Sequence, residues 1–179
     1  MQEITKQNSL RWFQPQSHQI LRNNFIMIDL DATDRRLLNL LQSDASLSNQ
    51  ALAERAATSP ATALRRVRRL LEAGVIEQQV AILSPQALGE GLTALVEITL
   101  DRQGAEHLDA FEQRAVMDTA VQQLYRVSPG PDFMLVLFVP GMPAYHAVVQ
   151  RLFTQDANVR NVKAFFSVKR AKFDLRLPV

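Results

Sequence analysis

Four arginines fall within five positions of this chain, inside the stretch "TSPATALRRVRRLLEAG" at residues 58–74. A guanidinium stays charged at any physiological pH, and its fork of N–H donors matches phosphate oxygens or the O6 and N7 edge of guanine. Arg65, Arg66, Arg68 and Arg69 therefore suggest one chemistry first, the grip of a polyanion. Other reactive groups are sparse. The chain has no cysteine, and its three histidines, His18, His107 and His146, are widely separated. That excludes disulfides and thiolate chemistry and leaves no ligand set for a protein-built zinc site. With no phosphate-binding glycine loop and no nucleophile elbow either, neither a metal nor a cofactor is expected.

A charge run on a helix is most often only its wet face, so the surrounding elements must decide. Net charge does not settle the matter. Residues 29–84 carry seven basic and seven acidic side chains, residues 85–158 are net acidic by five, and residues 159–179 are net basic by five. The arginine run thus sits in a neutral region, and its case rests on where each arginine points. A chain of 179 residues with 47% hydrophobic content can bury one large or two small cores. It contains no 18-residue apolar run, so no membrane span is expected, and the first residues lack a signal-type apolar core, which makes a cytoplasmic protein the default.

Start and stop signals are dense from Asp29 to Leu83. Asp31 is placed to cap a first helix with Asp34 at its third position, and "RRLLNLLQS" puts Leu37, Leu38 and Leu41 on one face. Ser48 caps a short second helix, "NQALAERAA", with Leu47 and Leu52 at the spacing of a hydrophobic staple. A third helix begins with Ser59 as cap and Pro60 at its first position, and stops at Gly74. Three short helices with a tight turn between the last two predict a helix-turn-helix, and "VIEQQVAIL" predicts a small hairpin wing after it.

At 3.6 residues per turn, Ala63, Leu64, Val67, Leu70 and Leu71 of the third helix form a stripe toward the first two helices. Thr62, Arg65 and Arg69 lie near the opposite pole, with Arg66 and Arg68 on the flanks. In a helix-turn-helix that pole enters the major groove, N-terminal residues first. Ser59, Ala61, Thr62 and Arg65 are the expected base readers, and Arg66 and Arg69 the expected phosphate contacts.

The run "LDATDRRLLNLLQSDASLSNQALAERAATSPATALRRVRRLLEAGVI" resembles the DNA-binding domain of the Lrp/AsnC family of regulators, and the likeness continues through "SPQALG", "ALVEITL", "VSPGPDFMLVLFVPGMPAYHAVVQRL" and "VRNVKAFFSVKR". It covers Leu30 to the C-terminus. The resemblance implies a winged helix-turn-helix that binds double-stranded operator DNA, followed by an αβ sandwich that forms homodimers and commonly octamers. It also implies a small-molecule effector, typically an amino acid, between subunits. The expected organisation is α+β: an N-terminal extension at 1–28, a winged helix-turn-helix at 29–83, a linker at 84–91 and a ferredoxin-like βαββαβ domain at 92–179.

The residues of the second half agree with that class. "LTALVEITL" alternates as a strand with Val96, Ile98 and Leu100 on one side. "AEHLDAFEQRAV" spaces Leu108, Phe111 and Ala115 as a helix, and "VQQLYRV" and "FMLVLFV" read as strands around a proline-glycine turn. Pro143 opens a helix sharing Tyr145, Val148, Val149 and Leu152 on a face. A last pair of strands is expected in "VRNVKAFFSV", with Val162, Ala164, Phe166 and Val168 on one side, and "KFDLRL". "FMLVLFV" is apolar enough to be covered on both faces, either by helices on one side and a second subunit on the other or as a strand buried within the monomer.

The family's effector turn reads approximately Gly-Asp-Tyr/Phe-Asp-Tyr/Phe, with a Thr-x-Thr pair in a later strand. The matching positions here hold Pro129, Gly130, Pro131, Asp132 and Phe133, and then Val162 and Ala164. Gly130, Asp132, Phe133, Val162 and Ala164 are the candidate effector residues by resemblance. Only Asp132 and Phe133 keep the pattern, and Val162 and Ala164 lack the hydroxyls a zwitterion needs, so an ordinary amino-acid effector is not expected here. An enzyme alternative of the same two-domain build, similar to sirohaem decarboxylases, would use His146 and the "VKRAK" run against a polycarboxylate. Residues 1–26 match nothing in the family. They are either an over-extended start before Met27 or a basic arm with a short helix near 16–24.

Overall fold

A computed structural model describes residues 28–89 and 91–179. The readings on the N-terminal extension, the start at Met27 and the helix near 16–24 included, fall outside them. The chain divides into two units, one ending at Val80 and including Leu175–Val179, the other spanning Ala81–Asp174.

Helix α1 runs Ala32–Ser43 and begins in a complete capping box. The Asp31 carboxylate accepts the N–H groups of Thr33 and Asp34, both at 2.9 Å, and Asp34 returns an oxygen to the Asp31 N–H at 3.3 Å. Helix α2 (Asn49–Arg55) is capped by Ser48, and α3 (Pro60–Glu72) by Ser59 with Pro60 at its first position. Alanines at 53, 56 and 63 let the helices approach closely around Leu37 and Leu52, with Leu40, Leu41, Leu47 and Val67 packed at the rim. Two polar ties fix the angle: Asn49 Nδ2 donates to Pro60 O at 2.9 Å, and Arg36 Nε donates to Ala56 O at 3.0 Å.

α2 and α3 end in the same motif. After α2, Thr58 N–H reaches Ala53 O and Ala57 N–H reaches Glu54 O; after α3, Val75 and Gly74 repeat the pattern onto Leu70 and Leu71. The motif requires a left-handed residue, supplied by Gly74 at φ 71° but by Ala57 at φ 53° in the helix-turn-helix corner.

Two expectations change in this unit. Leu64 and Leu71 stand 44% and 40% exposed, outside the buried stripe, which narrows to Ala63, Val67 and Leu70. Residues 77–84 contain no strand, so the hairpin expected after Gly74 does not form a ladder. No glycine or asparagine lies between Val75 and Leu83 to close a tight turn.

In the second unit a short helix α4 (Pro85–Leu88) precedes strand β1 (Leu92–Leu100). Helix α5 (Ala105–Val116), strands β2 (Val121–Arg126) and β3 (Phe133–Val139), helix α6 (Met142–Val148) and strand β4 (Val159–Phe166) complete the βαββαβ order. The antiparallel sheet has the order β2-β3-β1-β4, which is ferredoxin-like. One face is the core. Ala94, Val96, Ile98, Leu100, Phe133, Leu135, Leu137 and Val139 meet Phe111 and Ala115 of α5 and Tyr145, Val148, Leu152 and Phe153 behind them. Phe111 anchors the layer, with ring centroids 4.7 Å from Phe133 and 6.5 Å from Phe153. After α6 the helix widens into a π-helical turn at Val149–Thr154, and this brings Phe153 as well as Leu152 to the sheet.

β3 alternates between fully and partly buried residues, so only one of its faces is covered in the single chain. The stretch "KFDLRL" forms no strand. The last five residues group instead with the first unit, where Gln42 donates to Leu177 O at 3.1 Å and accepts from Leu177 N–H at 2.6 Å.

Candidate nucleic-acid interface

The four arginines of α3 have different surroundings. Arg66 is directed to α1. One of its terminal nitrogens donates to Asp34 at 2.9 Å and to Asp31 at 2.7 Å, and its side chain is 20% exposed. Its Nε is buried without a partner. Arg69 donates to the other oxygen of Asp34 at 2.5 Å with about half of its side chain open, at 44%. Asp34 itself is 1% exposed, the sole buried charged residue among those described. A carboxylate removed from water needs paired donors, and two guanidiniums with one backbone N–H supply them.

The electrostatic consequence is mutual. The Asp34 N–H and then Arg66 hold the Asp31 carboxyl at about 2, well below its ordinary 3.8, and the two aspartates hold the Arg66 proton more tightly than usual. Arg65 and Arg68 are exposed and form no ion pair among the described residues. Of the expected phosphate contacts, then, Arg66 is engaged within the fold and Arg69 is half engaged. Arg68, placed on a flank of the helix by the sequence, is open.

The expected base readers lie in the first turn and a half of α3. Ser59 Oγ accepts Thr62 N–H at 3.3 Å and donates to Thr62 Oγ1 at 2.9 Å, while Ala61 and Arg65 face outward and exposed. This arrangement presents small and hydroxyl side chains at the helix start and a cation one turn later. It suits the floor and edge of a major groove. Sequence spacing had no access to the Asp34 clamp, because a partner 32 to 35 positions away is visible only once α1 and α3 are packed.

The candidate effector residues are absorbed by the sandwich. Asp132 accepts Leu100 N–H at 2.7 Å and donates its own N–H to Ile98 O at 2.8 Å, which closes the turn onto β1. Phe133 is fully buried in the core. Val162 and Ala164 face the helices, with Val162 opposite Ile98 and Ile98 opposite Phe133. Gly130 holds φ 126° at the turn. The sheet thus brings Phe133 and Val162 to either side of one residue, but none of the five lines either of two surface hollows found in this unit. The larger hollow, about 530 Å³, lies at the far end of β1 against Gly91, Thr93, Phe138, Lys169 and Arg170. His146 is exposed on α6 with its ring edge-on to Tyr145, and it lines neither hollow. Among the described residues no group of histidine and carboxylate side chains has the arrangement of a metal site, and no helix is long and apolar enough to cross a membrane.

Residues 30–77 match the model of the winged helix-turn-helix DNA-binding family, and residues 93–177 that of the Lrp/AsnC ligand-binding domain. An uncharacterised HTH-type transcriptional regulator of Haemophilus influenzae is 36% identical over 151 residues, covering 84% of this chain and 90% of that protein. The leucine-responsive regulatory protein of Escherichia coli K12 is 33% identical over 84% of this chain and 92% of its own. A transcriptional regulator of Neisseria meningitidis, solved as a complex with L-Met, superposes with a TM-score of 0.76 at 29% identity, over 84% of this chain and 97% of that one. A capped helix-turn-helix with outward cations, an antiparallel βαββαβ sandwich and matches to both domain models give one conclusion: the chain belongs to the Lrp/AsnC family of transcriptional regulators.

Proposed function

We propose that this regulator reads its operator with the outward pole of α3, using Ser59, Ala61, Thr62 and Arg65 toward base edges. Arg68 and the open half of Arg69 then meet phosphates, and Arg66 is kept for the fold. The observation that carries this reading is the exposure of Arg65 and Arg68 without ion pairs beside the clamped Arg66. A cation already neutralised by a buried carboxylate releases no counterion when DNA arrives, whereas an open one does. The test is a gel-shift titration of the full chain over a salt series. A log-log slope of magnitude below about 2 would count against several phosphate contacts per dimer.

The second unit supports self-association and leaves the effector open. Beside the helix-covered face, the sheet carries Leu95, Met134, Val136, Phe138 and Phe165 on its other side, interrupted by the Glu97–Lys163 pair at 3.8 Å. A second copy over this face would give the homodimer, and further assembly the octamer that the family resemblance implies; light scattering tests both. An amino-acid ligand like the L-Met of the Neisseria relative would find Asp132 already bonded to backbone and methyl groups at Val162 and Ala164. An effector of another chemistry, or none, is therefore the reading favoured, with calorimetric titration of the twenty amino acids as its test. Regulation of DNA places the work of the protein in the cytoplasm.

A further inference from the structure

We infer that Leu64 reads a thymine C5-methyl group in the operator and is a specificity-determining residue of α3. This rests on the DNA-binding reading above and adds a residue that the helical stripe assigns to the core and the charge pattern does not assign. Its basis is the partition of the surface of α3 into quarters. One quarter is core, where Ala63 and Leu70 are fully buried and Val67 packs beside them. The next is closed by polar bonds, with Thr62 tied to Ser59 and Arg66 and Arg69 to the aspartates of α1. Arg65 and Ala61 lie opposite the core. That leaves the flank of Leu64, Arg68 and Leu71, which at about 100° per residue fall within about 60° of one another.

This flank is the part of the α3 apolar surface that stays open to solvent among the described residues, with Leu64 and Leu71 44% and 40% exposed where Ala63 and Leu70 are fully buried. An exposed leucine alone would mean little. Leu64, however, directly precedes Arg65 in sequence and lies one turn before Arg68, and both of these cations are open. The outward surface therefore offers an apolar group bracketed by two guanidiniums. The major groove presents the matching pattern where a thymine methyl adjoins the O6 and N7 acceptors of guanine, or the phosphates beside it. Leu64 also lies in the N-terminal half of α3, where side chains reach base edges, whereas Leu71 is two turns further along.

The experiment selects duplexes from a random pool with the full chain, then replaces each thymine of the selected site singly by deoxyuridine, which removes only the methyl group. One position per half-site should lose about fourfold in affinity, the equivalent of one buried methyl group. Leu64→Ala should lose affinity for the thymine duplex and lose nothing further on the uridine duplex, while Leu71→Ala retains the uridine effect. A selected site indifferent to every uridine, or additive losses for Leu64→Ala and uridine, would overturn the inference and leave the DNA reading intact. A shift of the dimer equilibrium by Leu64→Ala without DNA would also overturn it, because the flank would then face a second copy. Failure to select any duplex would overturn both readings together.

Discussion

Asp34 holds Arg66 at 2.9 Å from a carboxylate that is 1% exposed, and the pair ties the first turn of α1 to the middle of α3. The other oxygen of Asp34 takes Arg69 at 2.5 Å, so a single buried charge engages two of the four arginines of α3. Asp34→Ala leaves both guanidiniums without that partner and removes the acceptor of the Asp31 N–H. Stability should fall by about 2 kcal/mol, measured by urea unfolding. The same variant should steepen the salt dependence of DNA binding, because Arg66 and Arg69 become available to phosphates.

The capping box predicts a pH dependence. Asp31 is held at about 2 against an ordinary 3.8, so its contribution is complete above the higher value and is lost as the pH falls toward the lower one. Asp31→Asn keeps an N-cap acceptor but removes the charge facing Arg66. Its stability deficit at neutral pH should therefore shrink as the pH falls from 3.8 to about 2. A deficit that persists at the acid end would assign the effect to cap geometry rather than to charge.

The features legible in the sequence are the local ones. Asp31, Ser48 and Ser59 announce their helices because a cap acts over three residues, and the alternation of β1 is written in Val96, Ile98 and Leu100, all buried. Leu64 and Leu71 were misplaced because a helical stripe admits every leucine within its width, and only the packing of α2 through small alanines shows how narrow the covered strip is. Phe153 escaped because a π-helical turn shifts the phase that a 3.6-residue period assumes. The engagement of Arg66 was invisible for the same reason as that of Asp132: each partner comes from a different element brought in by tertiary packing.

The corner between α2 and α3 stores a correctable strain. Ala57 occupies the left-handed position that Gly74 fills at the end of α3, and it is exposed, with its N–H bonded to Glu54 O. Ala57→Gly should raise stability by about 0.5–1 kcal/mol, a gain of a few degrees in Tm, with DNA affinity unchanged.

The C-terminal five residues should behave as part of the first unit. Gln42 holds Leu177 by both backbone groups, and Asn39 reaches Val179 O at 3.4 Å. Leu177 is 70% exposed, so these bonds, and not burial, retain it. Gln42→Ala should cost about 1 kcal/mol and accelerate carboxypeptidase trimming of the tail. Equal trimming rates in the variant and the parent chain would show that the bracket does not hold the tail in solution.

Substituting the α3 arginines one at a time should separate three roles that the sequence places side by side. Arg68→Gln removes an open cation and should lower the magnitude of the log-log salt slope by about 1 for each copy in contact with DNA. Arg65→Ala should instead relax sequence preference, narrowing the affinity gap between a selected site and random duplex, because a base contact carries about 1–3 kcal/mol of discrimination that a phosphate contact does not. Arg66→Gln should leave the slope unchanged and lower the unfolding free energy, since both of its acceptors are protein carboxylates. Arg69→Gln should fall between these cases, its one ion pair being to Asp34 and its side chain 44% open. Measuring slope, selectivity and stability on the same four variants distinguishes the arrangement from a merely solvated helix, for which all four substitutions would leave the slope and the selectivity unaltered.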